Sequence, residues 1–139
     1  MNIVITRANS KDAADICAID RERFTDPWAE KNFADIAIKS EVFLLKAVID
    51  GVIAGFIAAF NEWELIYIAR IAVSREAERK GIGTALLNAL PSEKLVLDVR
   101  YGNTGARAFY ESYGFEQAAV RKNFYERPRE DGCTYILER

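Results

Sequence analysis

IARIAVSREAERKGIGTALLNAL, residues 68–90, runs from an apolar strand through a charged, glycine-containing turn directly into an amphipathic helix. Gly81 and Gly83 stand where that helix begins, and glycine lets the backbone approach a ligand with no Cβ in the way. The first amides of a helix have no internal partner and lie at the positive end of its dipole, so they suit phosphate oxygens. The spacing predicts a helix over 82–90, because Ile82, Ala85, Leu86, Ala89 and Leu90 fall at i, i+3, i+4, i+7 and i+8. Pro91 stops it.

Spacing excludes two common phosphate loops. A dinucleotide-binding fingerprint needs a third glycine at the position held by Leu86, and a Walker-type loop needs Gly-Lys followed by Ser or Thr, which is absent. What remains is Arg79-Lys80-Gly81-Ile82-Gly83-Thr84-Ala85, which taken alone fits a ligand-free strand-to-helix turn equally well.

The 139 residues suit a single domain, 1–139, and 50% hydrophobic with 29% charged residues is ordinary for a globular chain. A net charge of -2 argues against nucleic acid as the main partner. The apolar region Val42 to Phe60 is interrupted by Lys46, Asp50, Gly51 and Gly55, so neither a membrane span nor a signal peptide is expected. Cys17 and Cys133 have no metal-like spacing, and a reduced cytoplasmic setting is the default. The chain has no histidine, which removes the commonest general base, Ser-His and Cys-His nucleophiles and most transition-metal sites; no metal is expected.

In chain order, Asn2–Thr6 reads as a strand, and Asn9 with Asp12 opens a helix carrying Ala13, Ile16 and Cys17 on one face. Asp26-Pro27-Trp28 predicts a second helix with proline in its first turn, continuing through Ala29, Phe33, Ile36 and Ala37. Phe24 and Trp28 flank the charged loop before it, where large aromatics usually anchor a core. Val42–Ile49 and Val52–Phe60 form a hairpin around Asp50-Gly51. After the turn Asn61-Glu62-Trp63, a strand over Glu64–Val73 puts Leu65, Tyr67, Ala69, Ile71 and Val73 on one face and Ile66, Ile68, Arg70 and Ala72 on the other. Both faces are largely apolar, which predicts a central strand covered on both sides, with a bulge able to re-aim Arg70 or Tyr67 toward a cleft.

Lys94–Arg100 is a further strand in which Asp98 is a carboxylate among apolar residues, and therefore either functional or paired, with Arg70 or Arg100 as partners. Asn103 caps a helix lined by Ala106, Phe109, Tyr110 and Tyr113 and ended by Gly114. Strands over Phe115–Tyr125 and Thr134–Glu138 flank a charged loop, Glu126 to Gly132. The sum is an α/β protein with a mixed sheet and no linker or repeat.

Several blocks occur in a telling order: Asp26-Pro27-Trp28, Ile71-Ala72-Val73, the glycine loop, Leu97-Asp98-Val99-Arg100, Asn103, Ala108-Phe109-Tyr110-Glu111-Ser112-Tyr113-Gly114-Phe115 and Arg121-Lys122-Asn123-Phe124-Tyr125. In that order they resemble the RimI-like N-terminal acetyltransferases of the GNAT superfamily, over nearly the whole chain. The resemblance implies a GNAT fold, with a central mixed, mostly antiparallel sheet flanked by helices, and acetyl-CoA as co-substrate. It implies that the backbone of Ile71, Ala72 and Val73 holds the pantetheine arm, that the amides of Arg79, Lys80, Gly81, Ile82, Gly83 and Thr84 hold the pyrophosphate, and that Asn103 touches the coenzyme. It implies that Tyr110 protonates the departing thiolate. Without it, Asn103 is equally a plain cap and Tyr110 a core residue on a helix face.

An amine attacking a thioester requires a proton removed and a proton returned. A terminal amine has a pKa of about 7.7 to 8.0, against about 10.4 for lysine, so a modest base suffices for a protein N-terminus. Asp98 stands where the family pattern has glutamate and is one methylene shorter, which favours a relay through water over direct proton removal; Tyr67 is a second candidate in that relay. Glu78 replaces the Gln or Arg that opens the family's coenzyme loop, with Arg75, Arg79 and Lys80 available to offset its charge. Phe24, Trp28, Phe124 and Tyr125 are expected around the acceptor. Two alternatives stay open: a GNAT enzyme acting on a small amine or a lysine side chain, and a non-catalytic coenzyme-binding or interaction module. No feature specifies an oligomeric state.

Overall fold

The computed structural model describes residues 2–139 and forms two compact units. The first runs to Asn61 and resumes over Ala69–Pro91; the second comprises Glu62–Ile68 and Ser92–Arg139.

In the first unit, β1 (Val4–Arg7), β2 (Val42–Ile49), β3 (Val52–Glu62) and the later part of β4 (Leu65–Val73) are neighbours in that order. β1 pairs antiparallel with β2, and β2 with β3. The β2–β3 register places Ile49 opposite Val52, leaving a two-residue turn in which Asp50 and Gly51 take φ of 51° and 78°. Those positive values are what a tight right-twisting hairpin needs, and Asp-Gly supplies them at low cost. Asn9 opens a short 3-10 turn, its side chain accepting from Lys11 N–H while Asp12 accepts from Asn9 N–H, and α1 (Ala13–Arg23) follows. α1 and α2 (Glu30–Ala37) bury Ala13, Ile16, Cys17, Ile19 and Phe33 against Leu44, Phe56, Ala58 and Ala72. Phe33 sits 5.3 Å from the rings of both Trp28 and Phe56, and such aromatic contacts add about 1 kcal/mol each beyond burial.

α2 begins later than its proline predicts. Asp26-Pro27-Trp28 stays outside the helix because its carbonyls bond elsewhere: Trp28 O accepts from Cys17 Sγ and Asp26 O accepts from Arg70 Nη2 at 2.7 Å, while Trp28 N–H donates to Asp20 Oδ2 at 2.7 Å. α3 (Ile82–Asn88) is also turned from the expected face. Leu87 is buried and Ala89 is exposed, with Ile82, Leu86 and Leu90 inside as expected.

In the second unit the order is β4, β5 (Lys94–Arg100), β7 (Arg129–Glu138) and β6 (Glu116–Glu126), with α4 over Thr104–Tyr113. β4 and β5 are parallel through Ile66↔Leu95, Tyr67↔Val96 and Ile68↔Leu97, and the other pairs are antiparallel. Ile71, Ala72 and Val73 lie beyond that short ladder along β4. β4 alternates strictly in burial: Ile66, Ile68, Arg70 and Ala72 are buried, while Leu65, Tyr67, Ala69, Ile71 and Val73 are only half-buried. It is therefore fully covered on one face rather than two. The expected charged loop 126–132 is mostly strand, since β6 reaches Glu126 and β7 starts at Arg129. A register shift between Arg121 and Tyr125 absorbs Asn123, whose φ is 53° and whose N–H donates to Asp131.

Candidate active site

In the second unit, Asp98 lies on the half-buried face of β5 with its side chain 4% exposed. Neither Arg70 nor Arg100 is its partner, contrary to expectation; Arg70 bonds Asp20 and Arg100 bonds Glu130. Instead Tyr67 donates its hydroxyl to Asp98 Oδ2 at 2.6 Å, and Thr134, opposite Asp98 in the β5–β7 register, donates to Oδ1. Arg121 Nε donates to Thr134 Oγ1 at 3.2 Å and stands 3.6 Å from Asp98 Oδ1. Both carboxylate oxygens are thus occupied, one by Tyr67 and one by Thr134. Burial, and then the hydrogen bond to Asp98, push the Tyr67 phenol well above its usual range, so it stays protonated.

Tyr110 points from α4, whose first turn is capped by Asn103 Oδ1 accepting from Ala106 N–H at 3.2 Å. The helix is pinned to β7, where Tyr135 donates to Glu111 at 2.6 Å and accepts from Arg107 at 3.1 Å. The Tyr110 ring is 7% exposed and packs on Phe109, Phe115 and Tyr135. Its hydroxyl has no hydrogen bond among the described residues, yet no buried polar side-chain atom there lacks a partner, so the hydroxyl opens outward. Burial raises its pKa far above the usual value, and the nearby Tyr125 phenol adds to the rise. Tyr125 acts on Tyr67 in the same sense, so β6 brings one aromatic residue near both tyrosines. Phe124 stands at right angles to Tyr125 at 5.0 Å, with Arg121 over its ring at 5.2 Å.

In the first unit, Phe24 and Trp28 are half-buried around the Arg70 guanidinium, which lies 4.3 Å and 4.8 Å from their ring centroids. Arg70 also donates to Asp20 Oδ1 at 2.9 Å, the carboxylate being wholly buried. In the glycine turn, Arg79 and Gly81 take φ of 63° and 78°, and a Cβ at Gly81 would meet nothing within 4 Å, so that glycine is required for its backbone angle rather than for space. The first bond of α3 runs from Ala85 N–H to Gly81 O at 3.0 Å, leaving the preceding amides without a partner inside the helix. Glu78 is neutralised by Arg23, not by Arg75, whose N–H and guanidinium bond Glu22.

Residues 13–115 match the acetyltransferase (GNAT) family. The chain belongs to the GNAT family. It is an acetyl-CoA-dependent N-acetyltransferase, with the fold expected from its sequence. It is similar to the Escherichia coli ribosomal protein bS18-alanine N-acetyltransferase, 34% identical over 122 residues, which cover 82% of this chain and 80% of that one. An N-alpha-acetyltransferase of Sulfurisphaera tokodaii is 27% identical over 141 residues, covering 87% and 84%. The crystal structure of the E. coli ribosomal-protein-S18-alanine N-acetyltransferase superposes with a TM-score of 0.88 at 29% identity, covering 99% of this chain and 94% of that one.

The residues of this acetyltransferase fit its co-substrate. Arg79 and Lys80 are exposed and carry no ion pair among the described residues, a Cβ at Gly81 would meet nothing within 4 Å, and the adjacent Glu78 is already paired. No helix of the described residues is long and apolar enough to cross a membrane. Sequence reasoning missed Asp20, Arg23, Arg121 and Thr134. Arg121 opens one of the blocks that carry the resemblance, and Asp20 left a local signal: it follows Ala13, Ile16 and Cys17 at helical spacing, which places a carboxylate on an apolar face.

Proposed function

We propose that this single-domain enzyme works in the cytoplasm and acetylates the α-amino group of a protein N-terminus. The observation that carries the reading is the Tyr67–Asp98 hydrogen bond on a carboxylate closed off at its other oxygen by Thr134. Tyr67 can accept a proton from the incoming amine while passing its own to Asp98, which makes a tyrosine rather than a water the link in the relay. Such a relay suits an amine of pKa about 7.7 to 8.0 better than a lysine. Acetyl-CoA supplies the activated acetyl group. The backbone of Ile71–Val73, the amides of residues 79–84 and Asn103 would hold it, and Tyr110, buried and protonated with a free hydroxyl, would return a proton to the departing sulfur. Phe24, Trp28, Phe124 and Tyr125 are assigned to the acceptor. The E. coli relative, which by name acetylates an alanine of a ribosomal protein, supports the same acceptor class here.

Two outcomes are expected. Peptides with a free α-amino group should be acetylated with a kcat/KM at least about tenfold above that for N-blocked peptides carrying a lysine, or for simple polyamines, as a modest base dictates. Preference for the lysine or small-amine panel overturns the reading. Tyr67→Phe should lower kcat by about tenfold at neutral pH with acetyl-CoA binding intact. The deficit should narrow above the acceptor's pKa, where the amine arrives neutral, and a pH series of initial rates checks this.

A further inference from the structure

The end of α1 carries two consecutive charges that meet two opposite charges of the coenzyme turn. Glu22 accepts from the Arg75 N–H, and Arg75 Nη2 donates to Glu22 O at 3.2 Å; next along the helix, Arg23 Nη1 donates to Glu78 Oε1. The partners are 53 and 55 residues apart in the chain, so the fold alone brings them together. Glu78 is three residues before Gly81, on the approach to amides assigned to a pyrophosphate. An unpaired carboxylate there opposes an anionic ligand, and at 34% and 46% side-chain exposure the Arg23–Glu78 pair is wet enough that its worth in stability is small.

We infer that Arg23 is a positioning residue for the co-substrate: it takes the Glu78 carboxylate out of the field of the pyrophosphate turn and so restores a site that the Glu78 substitution for Gln or Arg would otherwise spoil. This rests on the assignment of residues 79–84 to acetyl-CoA. The pair acts through charge, with a directional consequence. Glu78 is the group that harms binding, and Arg23 is the group that cancels the harm. Removing Arg23 alone exposes the carboxylate; removing Glu78 alone leaves a free cation near the anion; removing both leaves a neutral pair. A simple mechanical latch would instead make either single loss as damaging as the other, and the double loss no better.

The test is calorimetric titration of the full chain with acetyl-CoA. Arg23→Gln should raise Kd by about fivefold at low salt, with the deficit shrinking as salt screens the exposed charges. Arg23→Lys should bind as the parent does. Glu78→Gln should bind as well as or better than the parent, and Arg23→Gln with Glu78→Gln together should recover parental affinity, while KM for the acceptor peptide stays unchanged throughout. Equal losses in both single variants, or no loss with Arg23→Gln, overturn the inference. Gly83→Asp, which puts bulk and charge into the turn itself, separates the two levels. If it too leaves Kd unchanged, the assignment of the turn has failed; if it abolishes binding while Arg23→Gln does not weaken it, only the role of Arg23 has failed.

Discussion

Replacing Tyr110 with phenylalanine is expected to lower kcat by about a hundredfold while leaving acetyl-CoA affinity and folding nearly unchanged, since general acid–base groups contribute on that order or more. The ring of Tyr110 makes the packing contacts, with Phe109, Phe115 and Tyr135 centroids at 5.4, 5.6 and 6.3 Å, and phenylalanine keeps all of them. Only the hydroxyl is lost, and no other group among the described residues hydrogen-bonds to it. A buried phenol whose pKa is driven up by desolvation is a poor base and holds its proton across the working pH range, which is what a donor to a thiolate requires. Steady-state rates at saturating substrate, paired with calorimetric binding of acetyl-CoA, separate the chemical step from affinity. An unchanged kcat removes Tyr110 from the reaction, and a parallel loss of binding makes it a packing residue.

The second large effect concerns stability. Arg70→Ala should cost about 3–5 kcal/mol, the usual consequence of leaving one member of a buried ion pair alone. Asp20 is wholly buried, and among the described residues Arg70 is the cation it pairs with; the same guanidinium also bonds Asp26 O and lies between Phe24 and Trp28. A loss of that size lowers the thermal midpoint by roughly 10–15 °C in a chain of this length. Arg70→Met combined with Asp20→Asn should recover most of the loss, because it removes both charges and leaves an acceptor for Trp28 N–H. Urea unfolding of the three proteins is the measurement. A single variant within about 1 kcal/mol of the parent would mean that water reaches Asp20 in place of Arg70. Because this pair holds the segment Phe24–Trp28, the same series read with acceptor peptides should show KM rising with the single variant and falling back with the double.

What could be read from the chain and what could not divide along one physical line. The Asp50-Gly51 hairpin, the Asn103 cap, the Gly114 stop and the alternation of β4 and β5 are set within a few residues by φ preferences, side-chain-to-backbone bonds and periodicity, so the sequence by itself determined them. Recognisable blocks, the one around Tyr110 among them, carried the family as well. The tertiary structure decided everything that depends on register or on partners distant in the chain. Asp98 is held by Tyr67 and Thr134 on its two oxygens, with Arg121 beside it rather than Arg70 or Arg100, because strand pairing brings together residues 31 and 36 positions away. The helix foreseen at Pro27 waits until Glu30 because Arg70 and Cys17 claim the Asp26 and Trp28 carbonyls that a helical turn would have used. Glu78, for which the sequence offered Arg75, Arg79 and Lys80 as offsetting charges, pairs with Arg23 because the end of α1 brings it there. Local preferences amount to a fraction of a kcal/mol per residue, while a buried hydrogen bond or ion pair left unmade costs several times that, so where the two conflict the distant partner prevails.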